Sequence, residues 1–337
     1  MDSPAAGIAI TVAGGAVGSS TLMPVKYVHA WKWENTWLVY SLLAYFSFPL
    51  LSAALTVPHL KSVYAPQAPR TLLLTALFGF AWGAGVVLYG LGLDIVGLSL
   101  SSGIILGSSV ALGSIIPLLV LGPPTILTPK GVQIVAADAV MTVGVVLCAR
   151  AGGLRERAAG RRIEAHGRRF LHGMFLCFLS GVFSPLLNVA LTFGGPITRT
   201  ALDAGASRFN AANAVWALCV SMGSLPSIAL CFVKLSRNGT WSEYRSPRSV
   251  RNALLCALMA IFFMASTILY GAAAGRLGPL GPVLGWPIYM SALILGNNFW
   301  GWYTGEWDGV RGWPVWIMLA GIALQILGIV LLSTAGQ

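Results

Sequence analysis

The sequence predicts an all-α polytopic membrane protein of ten transmembrane helices, arranged as two inverted five-helix repeats. Three observations carry that prediction. Of 337 residues, 56% are hydrophobic and only 9% charged, where a soluble domain usually carries about a quarter charged residues. Ten apolar runs are each long enough to cross the hydrocarbon core, which takes about 20 residues of helix. Finally, short stretches of the first half recur in the second at a fixed offset.

The spans run over 5–23, 37–57, 71–92, 98–121, 131–149, 170–193, 210–233, 252–274, 282–303 and 313–334. The first lacks the basic start of a cleaved signal peptide and reads as a retained helix. It ends in the hydroxyl cluster Gly18–Leu22. The second follows WKWENTW, which crowds Trp31, Trp33, Glu34 and Trp37 at its lip. The third holds FGFAWGAG, whose glycines permit close approach of a neighbouring helix or a ligand around Trp82. A very short gap around Asp94 leads to the fourth, which opens on GLSLSSG. The fifth contains Asp138 in IVAADAVMT, near its middle. Polar amides interrupt the later spans: Asn188 in the sixth, Asn213 in the seventh, Asn297 and Asn298 in the ninth and Gln325 in the tenth.

Charge orients the bundle. Of the 21 Lys and Arg, fifteen fall in the loops that follow odd-numbered spans. By the positive-inside rule those loops face the cytoplasm and both termini face the periplasm of a cell inner membrane. The longest basic stretch, ARAGGLRERAAGRRIEAHGRR, lies between spans five and six. It divides the chain into a first repeat at 1–150, a cytoplasmic linker at 151–169 and a second repeat at 170–337. The net charge of +11 does not point to nucleic acid, because the basic residues form no continuous face.

Leu88-Tyr89-Gly90 with Gly97 recurs as Leu269-Tyr270-Gly271 with Gly278, and Lys130-Gly131 recurs as Arg311-Gly312, both at an offset of 181. Gly15 and Gly18 loosely echo Gly181 and Ser184. An odd number of spans turns the second copy upside down. Such inverted repeats mark secondary transporters, whose substrate site lies near the midplane between the halves.

Other chemistries lack their motifs. The five cysteines lie in or at the ends of apolar runs with no CxxC pair, so a disulfide framework or zinc site is not indicated. The four histidines sit at span borders or in loops, and neither a P-loop nor a GxSxG elbow is present. No cofactor or metal is expected. Asn238-Gly239-Thr240 has the form of a glycosylation acceptor but falls in a cytoplasmic loop.

Ten tryptophans near span ends, Trp286 among them, read as an interfacial belt. Trp82 and Trp216 fall within spans and suit either core packing or stacking on a sugar ring. Amides and hydroxyls around a cavity suit a neutral polyol, or equally bond helix to helix. Asp138 is either paired to a neighbouring helix or part of a proton relay. Glu34 and Asp94, at span borders, compete for the second role.

Taken in order along the chain, several motifs are specific. Pro24-x-Lys26 precedes Trp31-x-Trp33-Glu34-x-x-Trp37; Phe78-Gly79-x-x-Trp82-Gly83 precedes Tyr89-Gly90; then come AGGLRER, Gly181-x-Phe183-Ser184 and Glu306-Trp307 with Pro314. In these the chain resembles the L-rhamnose–proton symporter family of the drug/metabolite transporter superfamily, over essentially its full length. In AGGLRER, Arg and Glu are exchanged relative to the family, and Asp94 and Asp138 stand outside the family pattern. The resemblance implies that spans one to four and six to nine line the central cavity, with five and ten peripheral.

The reading is therefore a secondary active transporter that takes up L-rhamnose or a similar deoxy sugar with protons by alternating access. Trp82 is the expected stacking platform, with Tyr89, Asn188, Asn297 and Asn298 as polar contacts. Glu34 with Lys26 is the first choice for a gate or coupling pair at the cytoplasmic mouth, and Asp138 a further coupling candidate. Sodium is the other coupling ion left open. An exporter or exchanger of another metabolite on the same fold is the alternative. A membrane enzyme would need paired acids or histidines at the surface, and a sensor would need a soluble output domain.

Overall fold

A computed structural model gives the fold and describes residues 4–121, 127–158, 160 and 167–335. Ten long helices form it. They are α1 (Pro4–Ser19), α2 (Trp33–Thr56), α3 (Pro69–Val96), α4 (Leu98–Leu121) and α5 (Pro129–Ala158), then α6 (Gly167–Phe193), α7 (Asn213–Asn238), α8 (Ser249–Arg276), α9 (Gly281–Tyr303) and α10 (Trp313–Ala335). Nine of these, among the described residues, are long and apolar enough to cross a bilayer. The exception is α9, whose 23 residues match the others in length. Its Trp, Tyr, Asn, Pro and Gly lower its apolarity, because this helix faces other protein along most of its length. The expected linker at 151–169 lies partly outside the described residues. So does the side chain of Asp94.

Several spans are broken where their sequence requires it. In α2, Pro49 has no N–H to return to Tyr45, and its ring would crowd that carbonyl. The chain answers with a π-helical segment at Leu42–Ser47, in which Phe48 N–H bonds to Leu43 O. Ser184-Pro185 splits α6 into Gly167–Phe183 and Leu186–Phe193. At the start of α2 the Asn35 carboxamide accepts from Lys32 N–H at 3.2 Å, and its Nδ2 donates to Thr240 O at 2.9 Å. This satisfies a helix-start donor while tying α2 to the end of α7.

Helix packing has an internal symmetry. α3 packs on α6 as α8 packs on α1, and α4 on α6 as α9 on α1. The pairs α2–α7, α4–α9 and α5–α10 each map onto themselves with the partners exchanged. Adding five to each helix number thus regenerates the contact pattern, as two inverted five-helix units require. Small residues allow these approaches. Gly79 and Gly83 of α3 lie directly against the backbone of Cys219 and Gly223 of α7, and Gly144 of α5 against Gly321 of α10. In lipid, such contact replaces the hydrophobic drive available in water. The outer faces are apolar, with Leu73 66% and Leu254 67% exposed.

Tertiary bonds sort the loops onto two ends. The basic end joins the first, central, α7–α8 and α9–α10 connections. Lys26 and Arg155 both reach Glu306, Trp31 Nε1 donates to Glu243 O at 3.1 Å, and Asn252 Nδ2 donates to His29 O at 2.7 Å. The opposite end carries the chain termini, with Gln133 bonded to Thr334 at 2.8 Å and Gln67 to Thr200 at 2.9 Å.

Candidate substrate cavity

A cavity of about 270 Å³ lies between the two halves. α1, α2, α3, α4, α6, α7, α8 and α9 all contribute to its wall; α5 and α10 do not. Its sides are aromatic. Tyr45 meets Trp82 edge-on at 5.2 Å, and Phe263 lies nearly parallel to Trp82 at 6.2 Å. Across the cavity, Tyr270 contacts Tyr289 at 4.9 Å and Trp286 at 5.8 Å. The repeat explains this arrangement. Trp82 and Phe263 stand 181 positions apart, as do Tyr89 and Tyr270, and all four line the cavity.

The cavity is asymmetric between its ends. Toward the basic end lie Leu22 and Asn297, both exposed. Toward the other end lie Trp216, Tyr270 and Trp286, all buried. The cavity therefore opens toward the basic loops and is sealed toward the termini. The seal is a set of bonds between helices. Asn188 Nδ2 donates to Gly113 O and to Pro282 O, both at 2.9 Å, while its Oδ1 accepts from Tyr270 Oη. Trp286 Nε1 donates to Ser109 O at 3.0 Å, and Ser114 Oγ to Val283 O at 2.9 Å. One amide thus holds α6, α4, α9 and α8 together.

The sequence-selected residues separate under this geometry. Trp82, Tyr89 and Asn297 line the cavity. Asn188 is fully buried behind it and its amide is taken up by the seal. Asn298 projects elsewhere on α9 and donates to Ile294 O at 2.9 Å. Trp286, read from the sequence as a belt residue, is 2% exposed and part of the seal. The indole of Trp286 points inward, where Ser109 O meets its N–H.

Lys26 and Glu34 are not bonded to each other. Lys26 Nζ sits 2.7 Å from Glu306 Oε1 and 2.9 Å from Thr304 Oγ1, with Arg155 2.7 Å from the second Glu306 oxygen. Partial burial works to raise the Glu306 carboxyl. The Lys26 hydrogen bond and the Arg155 charge outweigh it and hold that group below the usual carboxylate range. Glu34 is buried and accepts from Asn238 Nδ2 and Thr240 Oγ1, both at 2.9 Å. The same bond occupies the side chain of Asn238. Asp138 is buried in α5, off the cavity wall. All five cysteines are buried and free. Among the described residues no group of His, Cys, Asp and Glu could hold a metal.

Fold and site together define a polytopic membrane transporter, with eight helices around a cavity open at one face. Its sequence matches the L-rhamnose-proton symport protein family (RhaT) over residues 2–335, and the chain belongs to that family. It is 26% identical over 328 residues to the L-rhamnose-proton symporter of Shigella boydii serotype 18, covering 94% of this chain and 95% of that one. The L-rhamnose-proton symporter of Escherichia coli O45:K1 is similar to the same degree. A solved crystal structure shares the fold, with a TM-score of 0.57 at 16% identity over 98% of this chain and 96% of that one.

Proposed function

We propose that the protein takes up L-rhamnose, or a similar deoxy sugar, together with protons by alternating access. The observation that carries this reading is the aromatic cavity between the halves, open at one end and hydrogen-bonded shut at the other, in a chain whose family is named for rhamnose–proton symport. In this reading the drug/metabolite transporter architecture divides near residues 150 and 170, the basic face is cytoplasmic and both termini are periplasmic. The cavity is then inward-open. At about 270 Å³ it suits a ligand at the small end of the usual pocket range.

Trp82 offers a flat face for the C–H side of a sugar ring, backed by Tyr45 and Phe263. Asn297 and Tyr89 supply hydrogen bonds to hydroxyls, and the apolar wall at Val86 and Leu106 accepts a methyl group. Asn188 acts as the brace of the outer seal, and Asn298 as a helix-backbone contact. Lys26 with Glu306, and Glu34 with Asn238 and Thr240, hold the loops around the open mouth.

Equilibrium binding in detergent tests the substrate directly. Titration of L-rhamnose should give saturable quenching of tryptophan fluorescence, competed by unlabelled L-rhamnose analogues that keep the methyl group. Quenching equal for L-rhamnose and an unrelated polyol would overturn the assignment of substrate.

A further inference from the structure

Asp138 is the buried acid that the cavity does not use. It is 2% exposed, and neither carboxylate oxygen has a hydrogen bond of good geometry among the described residues. The helices packed on α5 are α10, α4 and α9. Over their lengths α4 and α10 carry no titratable side chain, and α9 carries only Tyr289 and Tyr303. On α5 itself the flanking charges are Lys130 and Arg150, more than two helical turns away on either side. Among the described residues no cation faces this acid. A carboxylate buried without a counter-ion or a well-placed donor favours the neutral acid.

Its polar neighbour is Ser114 of α4. Ser114 is itself part of the outer seal, donating to Val283 O at 2.9 Å. The adjacent Gly113 carbonyl receives Asn188, which also holds Pro282 O and Tyr270. One dipeptide of α4 therefore contacts the acid on one side and the seal on the other. A second cavity, about 1150 Å³, runs between α4 and α5 from Arg150 and Arg157 at the basic face up to Thr142. Thr142 lies one helical turn from Asp138, and its hydroxyl is also without a partner among the described residues.

We propose that Asp138 is the proton-carrying residue of the transport cycle and that it acts on the outer seal through Ser114. The inference rests on the proton-coupled reading above. As the neutral acid, Asp138 lets α4 lie on α5, and Gly113-Ser114 stay in place to hold the seal. When the proton leaves its carboxylate oxygen, the anion needs water or donors that this packing does not offer. α4 must then part from α5, which withdraws Gly113-Ser114 from Asn188 and Val283 and opens the cavity toward the termini. A proton added from that side restores the neutral acid and the seal. The cavity between α4 and α5 gives the proton an exit to the basic face apart from the sugar. No covalent bond other than O–H forms or breaks.

The test uses the full-length protein in proteoliposomes and compares wild type with Asp138→Asn, Asp138→Glu and Ser114→Ala. Asp138→Asn, fixed in the equivalent of the neutral form, should still bind L-rhamnose in detergent but lose counterflow, accumulation against a gradient and the alkalinisation that accompanies sugar entry. Asp138→Glu should keep accumulation with a displaced pH profile. Ser114→Ala should keep the acid's protonation but lose coupling. Infrared difference spectra of wild type minus Asp138→Asn at neutral pH, without sugar, should show the C=O stretch of a protonated carboxyl group. Counterflow or accumulation by Asp138→Asn at the wild-type level overturns the proposal. If wild type moves no rhamnose at all, the functional reading fails instead. The infrared band then decides: its absence overturns the role of Asp138 independently of substrate.

Discussion

At the scale of single residues, the side chains divide between those that face the cavity and those that hold its walls. Trp82 belongs to the first group. Replacing it with alanine removes the stacking face while leaving Tyr45 and Phe263, and should weaken L-rhamnose binding about tenfold, equivalent to 1.4 kcal/mol. Unchanged affinity in a fluorescence-independent assay, such as calorimetry, would remove Trp82 from the site. Glu306 belongs to the second group. Its lowered pKa means that its contribution is present above the ordinary carboxylate value and is lost as pH falls through the lowered one. Because Lys26 and Glu306 are both more than a third exposed, the effect is at most about 1 kcal/mol. Acid should therefore loosen the 304–312 loop, and Glu306→Gln should do so at neutral pH, read as faster proteolytic cleavage there. Equal cleavage rates for variant and wild type would contradict this.

Sequence alone placed Trp82, Tyr89 and Asn297 within reach of a cavity, because a polar or aromatic residue inside an apolar run has few other reasons to be there. It could not separate Asn297 from Asn298. The two are neighbours in sequence, yet about 100° apart around the helix, and only packing decides which phase meets the cavity. Nor could it find the partner of Lys26. Glu306 is 280 positions away, and both residues were visible only as members of separate motifs. Asn188 and Trp286 were legible as polar or amphipathic groups in a span, but their use as bracing depended on carbonyls of other helices, which no sequence pattern marks.

At the scale of elements, the helices were legible because apolar length is a strong signal, and their irregularities followed from Pro49 and Pro185. α9 tests the limit of that signal: its low apolarity comes from the same side chains that build the cavity and its seal. Glycine contacts set how closely helices approach. A Cβ on Gly83 would collide with the carbonyl of Gly223, whereas one on Gly195 would meet open space. Gly83→Val should force α3 from α7 and cost about 1–3 kcal/mol, read as a lower melting temperature in detergent. Gly195→Ala should melt as wild type does. Equal melting of the two variants would contradict the packing described for α3 and α7.

For the whole molecule, the inverted repeat brings aromatic side chains from both halves into one cavity wall and leaves one end bonded shut. Asn188 is where that closure concentrates. Asn188→Ala leaves the Tyr270 hydroxyl and the Gly113 carbonyl, which Pro117 cannot pair within α4, without partners, each costing about 1–3 kcal/mol when buried. The closed end should then open more often. A cysteine introduced at Ala274, next to the seal, should react faster with a membrane-impermeant thiol reagent applied from the side of the termini. No change in that rate would place the seal elsewhere.

The most direct measurement of the central claim is uptake of labelled L-rhamnose into proteoliposomes, with and without an inward proton gradient. The account predicts accumulation above the outside concentration only with the gradient, abolished by a protonophore and by excess unlabelled L-rhamnose. Absence of uptake by folded protein under both conditions, or accumulation indifferent to the protonophore, would contradict it.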